Sequence, residues 1–587
     1  MTGESSRVMR IFRSSFPSEE DTGFRTHAWA DGVAAVAAEL RPVYTTMLHA
    51  FAFAAKQDKR IGIKLLPDDP RGVDDHQSYR RLYHRACAMA VGLRERGVGD
   101  GQPVLLVLPT SLEFVAGLFA IQLAGGVPVP AYPPAMLSRA AQAIERLRQI
   151  AESSGATICV TDRRLKPLLG EVAATGRLRQ VVTTEVLERA DRKLLPDVRV
   201  RPEDPALIQY TSGSTDRPKG VLLSHRNLVS NIHAIGQAAR INRNDSVVIW
   251  LPLYHDMGLI GGLMFSIYWQ LPLALMSPLQ FLADPLRWLR TISRERATLS
   301  PAPNFAYGLC VKRAESESTD ELDLSSWRLA LNGAEPVNPA TVEAFHGRFA
   351  RHGFEQGSML PVYGLAECSL AVAFPAHGAA PELELVDREQ LAAGVAVPAS
   401  GERAVAVTSV GQAVPGHTCT VVDEYGVELG EREVGHIVVS GPSVMQGYYG
   451  NPSATDAVLR GESLWTGDLG FVCRERLFVV GRAKDLIIVR GGNYYAEDLE
   501  RVVCRVAGVR PGGAVAFGVY DEAEAVDLVV IVCETRVQGT EARLALVQEI
   551  SSAVSEQCGV PVDEVVLTSA GTIPKTPSAK AQRGLCR

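Results

Sequence analysis

From about residue 76 onward, stretches with helical periodicity alternate with short apolar runs, and this alternation narrows the possible folds more than any other feature. Ser78 precedes Leu82, Ala86, Met89 and Leu93, which are spaced as one face of a helix ending near Gly97. Residues 104–108 form a continuous apolar run of strand length, and Ser111 then opens a second helix that stops at Gly125-Gly126. Strands separated by helices pair in parallel and are covered on their faces, so an α/β fold is predicted. At 587 residues the chain exceeds what one core organises, and several subdomains are expected.

Two regions break the pattern. Residues 373–408 are rich in Ala, Pro and Gly around a short helical piece at 386–391, which predicts a surface insertion. After Gly481 the composition shifts to a unit with a hairpin (515–519, 528–533), a helix at 541–558 and a last strand at 565–567. The predicted boundaries are therefore 1–481 for the large domain and 482–587 for a small α+β domain. The formal charge of −6 supplies no general attraction for nucleic acid or anionic membrane. The ten cysteines include no Cys-x-x-Cys pair and read as reduced, mostly buried thiols. Residues 1–16 lack a signal-peptide core. The apolar stretch 258–276 is interrupted by glycines, Gln270 and Pro272, so it reads as a buried helix and strand, with no transmembrane segment. A cytoplasmic monomer is expected.

The strongest chemical signal is Tyr210-Thr211-Ser212-Gly213-Ser214-Thr215-Asp216-Arg217-Pro218-Lys219-Gly220. Small hydroxyls and glycine let backbone N–H groups close around phosphate oxygens, and Lys219 adds a point charge. A solvated turn is the alternative for this run alone. It resembles the phosphate loop of the adenylate-forming superfamily, which includes acyl-CoA synthetases, peptide-synthetase adenylation domains and luciferases. Five further matches follow in that superfamily's order. Asn332-Gly333-Ala334-Glu335-Pro336 resembles the adenine-contacting turn, and Tyr363-Gly364-Leu365-Ala366-Glu367 the segment whose tyrosine stacks on adenine and whose glutamate holds magnesium. Thr466-Gly467-Asp468 resembles the ribose-gripping segment, and Gly481-Arg482-Ala483-Lys484-Asp485 the hinge, with Arg482 reaching the nucleotide. Pro574-Lys575-Thr576-Pro577-Ser578-Ala579-Lys580 resembles the loop with the catalytic lysine, Lys580. The resemblance implies stacked α/β layers with a small β-barrel-like part, and a mobile C-terminal domain, with ATP and Mg²⁺ as cofactors.

The residue types suit the chemistry. A carboxylate attacking the α-phosphorus of ATP meets an anionic partner, so cations and N–H donors must offset charge. Glu367 is a hard oxygen ligand for Mg²⁺, and Asp468 can accept from two ribose hydroxyls.

Within the superfamily the chain resembles the fatty acyl-AMP ligases. Residues 250–262 carry their Tyr254-His255-Asp256-Met257-Gly258 core, with His255 implied near the substrate carboxylate. Residues 490–500 follow their hinge-proximal segment, in which acyl-CoA synthetases usually place Pro and Glu where this chain has Ala496 and Asp498. Glu367 and Asp468 are 101 positions apart, and the surplus falls in the flagged insertion. In the ligases such an insertion is associated with blocking CoA use and restraining domain rotation. The implied partners are a fatty acid and the phosphopantetheine thiol of an acyl carrier protein, with Arg501 and Arg505 as candidate docking cations. Met257, Phe265 and Phe305 are candidate tunnel residues. Two other readings are an acyl-CoA or aryl-CoA synthetase, and a non-catalytic acyl-adenylate-binding protein. The latter rests on Ala579, which stands where glycine usually precedes the lysine; Lys575 is the fallback lysine.

Overall fold

The computed structural model describes residues 40–134, 140–195, 199–211, 218–401, 404–489, 492–521, 526–575 and 581–587. The alternation resolves into two sheets. A parallel four-stranded sheet orders Val127–Pro130, Pro103–Leu106, Ile158–Thr161 and Gln180–Thr183. The helices Tyr79–Arg94 and Leu112–Leu123 begin where the serines place them. Ser78 accepts from Arg81 N at 3.3 Å and Ser111 from Phe114 N at 3.1 Å, satisfying donors that a helix start leaves free. A seven-stranded sheet runs from Met359–Pro361 through Leu329–Asn332, Leu299–Ala302, Val247–Ile249, Leu273–Leu275 and Gly62–Leu65 to Asp75–Ser78, with only the last pairing antiparallel.

The apolar stretch after Gly258 is buried and continues into the Leu273–Leu275 strand, as expected. Its helical part is a π-helical turn, Leu259–Met264, followed by the short helix Phe265–Trp269. Glycine permits the close fit there, since a Cβ at Gly262 would lie 2.6 Å from Ile249 Cδ1. No helix among the described residues is long and apolar enough to cross a membrane. All ten cysteines are free thiols, seven of them buried.

The barrel-like part corresponds to a nine-stranded antiparallel sheet. Its pairing path among the described residues runs open, from Tyr363–Gly364 to Thr418–Val422. The segment 373–408, expected as an insertion, supplies the strand Leu383–Asp387 and the first half of Ala404–Ala413, which pair antiparallel. The expected helical piece is shorter and later than 386–391: Val386 and Asp387 belong to the strand, and Asp387 caps the helix Arg388–Ala392 through Gln390 N. Toward the C-terminus, Val509–Asp521 and Val526–Thr535 form the predicted hairpin. Glu564–Thr568 adds in parallel, and the helix Thr540–Cys558 packs on this sheet around a core of its own, which includes Leu499, Ile531, Ile550 and Val554.

Candidate active site

The strand Pro205–Thr211 pairs antiparallel with Lys219–Ser224, so that Thr211 stands opposite Lys219. Ser212, Gly213, Ser214 and Thr215 lie outside the described residues. The second strand also pairs with Gly447–Tyr448, which brings the Tyr448 ring beneath Lys219 Nζ, 4.9 Å from the ring centroid. The Tyr448 hydroxyl in turn donates to Glu367 Oε1 at 2.8 Å. Burial pushes the Glu367 carboxyl above the usual range, the Tyr448 bond opposes this, and nearby Asp256 adds to it. Asp256 also pairs with His255, Oδ1 to Nδ1 at 2.6 Å.

A second cluster forms where the strands Ser463–Cys473 and Arg476–Arg482 pair with Asp468 opposite Arg482. Asp468 Oδ1 lies 3.4 Å from Arg482 Nε, and Oδ2 accepts from the Tyr363 hydroxyl at 2.6 Å. Burial and the Asp468 charge both push the Tyr363 phenol far above its ordinary pKa, so it remains a donor. Thr466 Oγ1 accepts from Asp468 N, and Gly467 supplies the positive φ of the turn. Gly364 permits a close backbone approach, because a Cβ there would fall 1.9 Å from Leu370 O. In the neighbouring turn, a Cβ at Gly333 would meet Val362 at 2.7 Å, and Ala334 holds φ +66, an uncommon conformation for a non-glycine residue. Glu335 Oε1 accepts from Phe305 N at 2.6 Å, which joins this turn to the helix Asn304–Ala314.

Both clusters line one cleft of about 2120 Å³, together with Thr211, His255, Ala334, Glu335 and Gly364. Met257, Phe265 and Phe305 line it as well, giving it an apolar wall. Lys580 lies outside the described residues. The fallback Lys575 donates to Gly512 O at 2.8 Å, within its own domain. Of the two candidate docking cations, Arg505 is exposed, but Arg501 turns back to Asp498 at 3.5 Å.

Sequence reasoning missed Tyr448 and Asp256. Tyr448 belongs to an aromatic pair between Gly447 and Gly450, a pattern noticeable in the sequence, but nothing local ties it to Glu367. Among the described residues no group of three or more His, Cys, Asp or Glu side chains forms a protein-only metal cage. Glu367 fits Mg²⁺ in another manner: a buried carboxylate whose charge is opposed by burial gains from a cation that also takes phosphate oxygens.

Residues 54–449 match the family described as AMP-binding enzyme. The chain is 35% identical over 568 residues to the medium-chain-fatty-acid–acyl-carrier-protein ligase JamA of Moorena producens, covering 93% of this chain and 95% of that protein. It is 34% identical over 546 residues to a putative acyl-CoA synthetase of Caulobacter vibrioides, covering 92% and 94%. The fold is similar to a structure solved in work on fatty acyl-adenylate ligases from E. coli and L. pneumophila. That similarity has a TM-score of 0.87 at 33% identity and covers 92% of this chain and 97% of the other.

Proposed function

The chain belongs to the AMP-binding enzyme family, and from that premise we propose that it activates a medium- or long-chain fatty acid with ATP and passes the acyl group to a carrier-protein thiol. In the first half-reaction a carboxylate oxygen bonds to the α-phosphorus of ATP and the bond to pyrophosphate breaks, leaving acyl-AMP. In the second, the phosphopantetheine thiolate attacks the acyl carbon and AMP departs. The observation that carries this reading is the pair of clusters in one cleft: Lys219, Tyr448 and Glu367 in the first, Tyr363, Asp468 and Arg482 in the second.

Asp468 and Arg482 hold the ribose and the nucleotide, and the turn Gly333, Ala334 and Glu335 flanks adenine beside Tyr363 and Gly364. Thr211 to Thr215 and Lys219 hold phosphates. Glu367 would hold Mg²⁺, which would supply positive charge against the phosphates. His255, oriented by Asp256, faces the substrate carboxylate, and Met257, Phe265 and Phe305 meet the acyl chain. Lys580 stabilises the charge developing at the α-phosphate, from a C-terminal domain spanning 482–587 that moves between the half-reactions. We place the enzyme in the cytoplasm, as a monomer.

The name of the Caulobacter relative favours a second reading, with CoA as acceptor. A radiolabelled fatty-acid assay with ATP and Mg²⁺, with and without CoA, separates the two. Acyl-AMP that CoA leaves untouched, and that phosphopantetheinylated carrier protein consumes, supports the ligase. Rapid conversion to acyl-CoA overturns it. Lys580→Ala should slow pyrophosphate release by about 10²-fold.

A further inference from the structure

The last helix, Arg583–Cys586, plants one guanidinium among three carboxylates. Arg583 Nη1 lies 2.9 Å from Asp485 Oδ2, Nη2 lies 3.1 Å from Glu497 Oε1 and 2.8 Å from Glu500 Oε2, and Nε donates to Glu500 Oε1 at 3.0 Å. These side chains are only 12–17% exposed. Glu500 has a further donor, Ala516 N at 3.0 Å. Glu497 is less well satisfied: its Oε2 is buried without a hydrogen bond and points at the chain just before Arg482, 3.3 Å from where a Cβ on Gly481 would stand.

Arg482 itself is 44% exposed, into the cleft, and among the described residues its one ion pair is the 3.4 Å approach to Asp468. Desolvation opposes its charge, while Asp468, then Asp485, then Glu497 favour it. Asp485 and Glu497 therefore act on Arg583 in contact and on Arg482 nearby, while Asp485 also acts on Lys484 and Glu497 on Arg501.

We propose that Arg583 is a positioning residue for the nucleotide site: by neutralising Asp485 and Glu497 it stops them from drawing Arg482 away from Asp468. Without Arg583, two poorly solvated carboxylates lie near a half-exposed guanidinium whose hold on Asp468 is a single long contact, and the balance shifts toward them. The inference rests on the assignment of Asp468 and Arg482 to the nucleotide.

The test compares ATP dissociation constants by calorimetry, and KM values from pyrophosphate release, for the full-length wild type, Asp468→Asn, Arg583→Gln, Arg583→Lys and the double variant Arg583→Gln/Glu497→Gln. Arg583→Gln should weaken ATP about fivefold and leave the fatty-acid KM within about twofold, with Arg583→Lys in between. The double variant should regain ATP affinity to within about twofold of wild type, although it has lost more native contacts. A merely structural role predicts no such rescue. Folded Arg583→Gln with unchanged ATP affinity, or a double variant that stays weak, overturns the proposal. If Asp468→Asn also binds ATP normally, the nucleotide assignment itself fails. Should Arg583→Gln not fold, Glu497→Gln with Arg583 intact decides: ATP bound at least as tightly as by wild type supports the proposal, and weaker binding overturns it.

Discussion

Glu367 shows how one side chain acquires a working range from its surroundings. Its carboxyl is raised by burial and held back by the Tyr448 hydroxyl, so it takes up a proton at higher pH than an exposed glutamate does. In its proposed role as Mg²⁺ ligand, Glu367 must be ionised. Activity at subsaturating Mg²⁺ should therefore decline on acidification earlier than an ordinary carboxylate would dictate. Tyr448→Phe removes the hydrogen bond that favours ionisation, so this acid limb should move to still higher pH in a Mg²⁺ titration of pyrophosphate release. Glu367→Gln should lose about 10²-fold in rate and the acid limb with it. The glutamate was legible in the sequence because it sits in a recognisable segment. Tyr448 was not, because its contact with Glu367 joins residues 81 positions apart.

At the level of elements, the segment 373–408 does more than decorate a surface. Its helix Arg388–Ala392 meets the C-terminal unit directly: Arg388 pairs with Asp498 and contacts Cys558 Sγ at 3.5 Å, and Asn493 Nδ2 donates to Ala392 O at 3.2 Å. Asp498 is, with Ala496, one of two positions at which the sequence departs from the usual acyl-CoA synthetase pattern, so one departure and the expected insertion meet in an ion pair. If this contact restrains the domain, Arg388→Ala should raise acyl-CoA formation about tenfold over wild type in the radiolabel assay, without increasing acyl-AMP formation. Unchanged exclusion of CoA would detach the pair from acceptor choice.

The helix Ala496–Val503 carries a second testable element. Burial, partly offset by Arg583 and reinforced by Glu497, pushes Glu500 from 4.5 up to about 7. Between those values the folded chain keeps a proton that the unfolded chain has released. Its stabilising effect is complete below about pH 4.5 and is lost as pH rises through 7. Thermal midpoints measured from pH 5 to 8 should show this falling contribution, and Glu500→Gln should remove it.

Across the whole molecule, apolar packing divides rather than forming one core. The cluster that includes Leu499, Ile531 and Ile550 lies apart from those around the two parallel sheets, and a smaller one packs Tyr495 with Leu469, Phe471 and Phe478 between them. Calorimetry should therefore resolve at least two transitions, and Arg388→Ala should shift the smaller one more, since it removes a partner from Asp498 without touching the larger cores. A single transition that moves as a whole would show the interface to be strong enough to merge them.

The sequence by itself determined what depends on neighbours along the chain. Ser78, Ser111 and Ser224 cap the helices that follow them, the apolar runs become strands, and Gly333 and Gly364 sit where the backbone is tight. These are short-range effects of sterics and hydrogen bonding, and they are readable in a window of a few residues. Only the tertiary structure decided which charges face one another. Asp468 meets Arg482 because of strand register, Tyr363 reaches Asp468 from 105 positions away, and Arg583 meets Asp485 across 98. Electrostatic partners and pKa values follow distance and burial in space, which the order of residues along a chain does not fix.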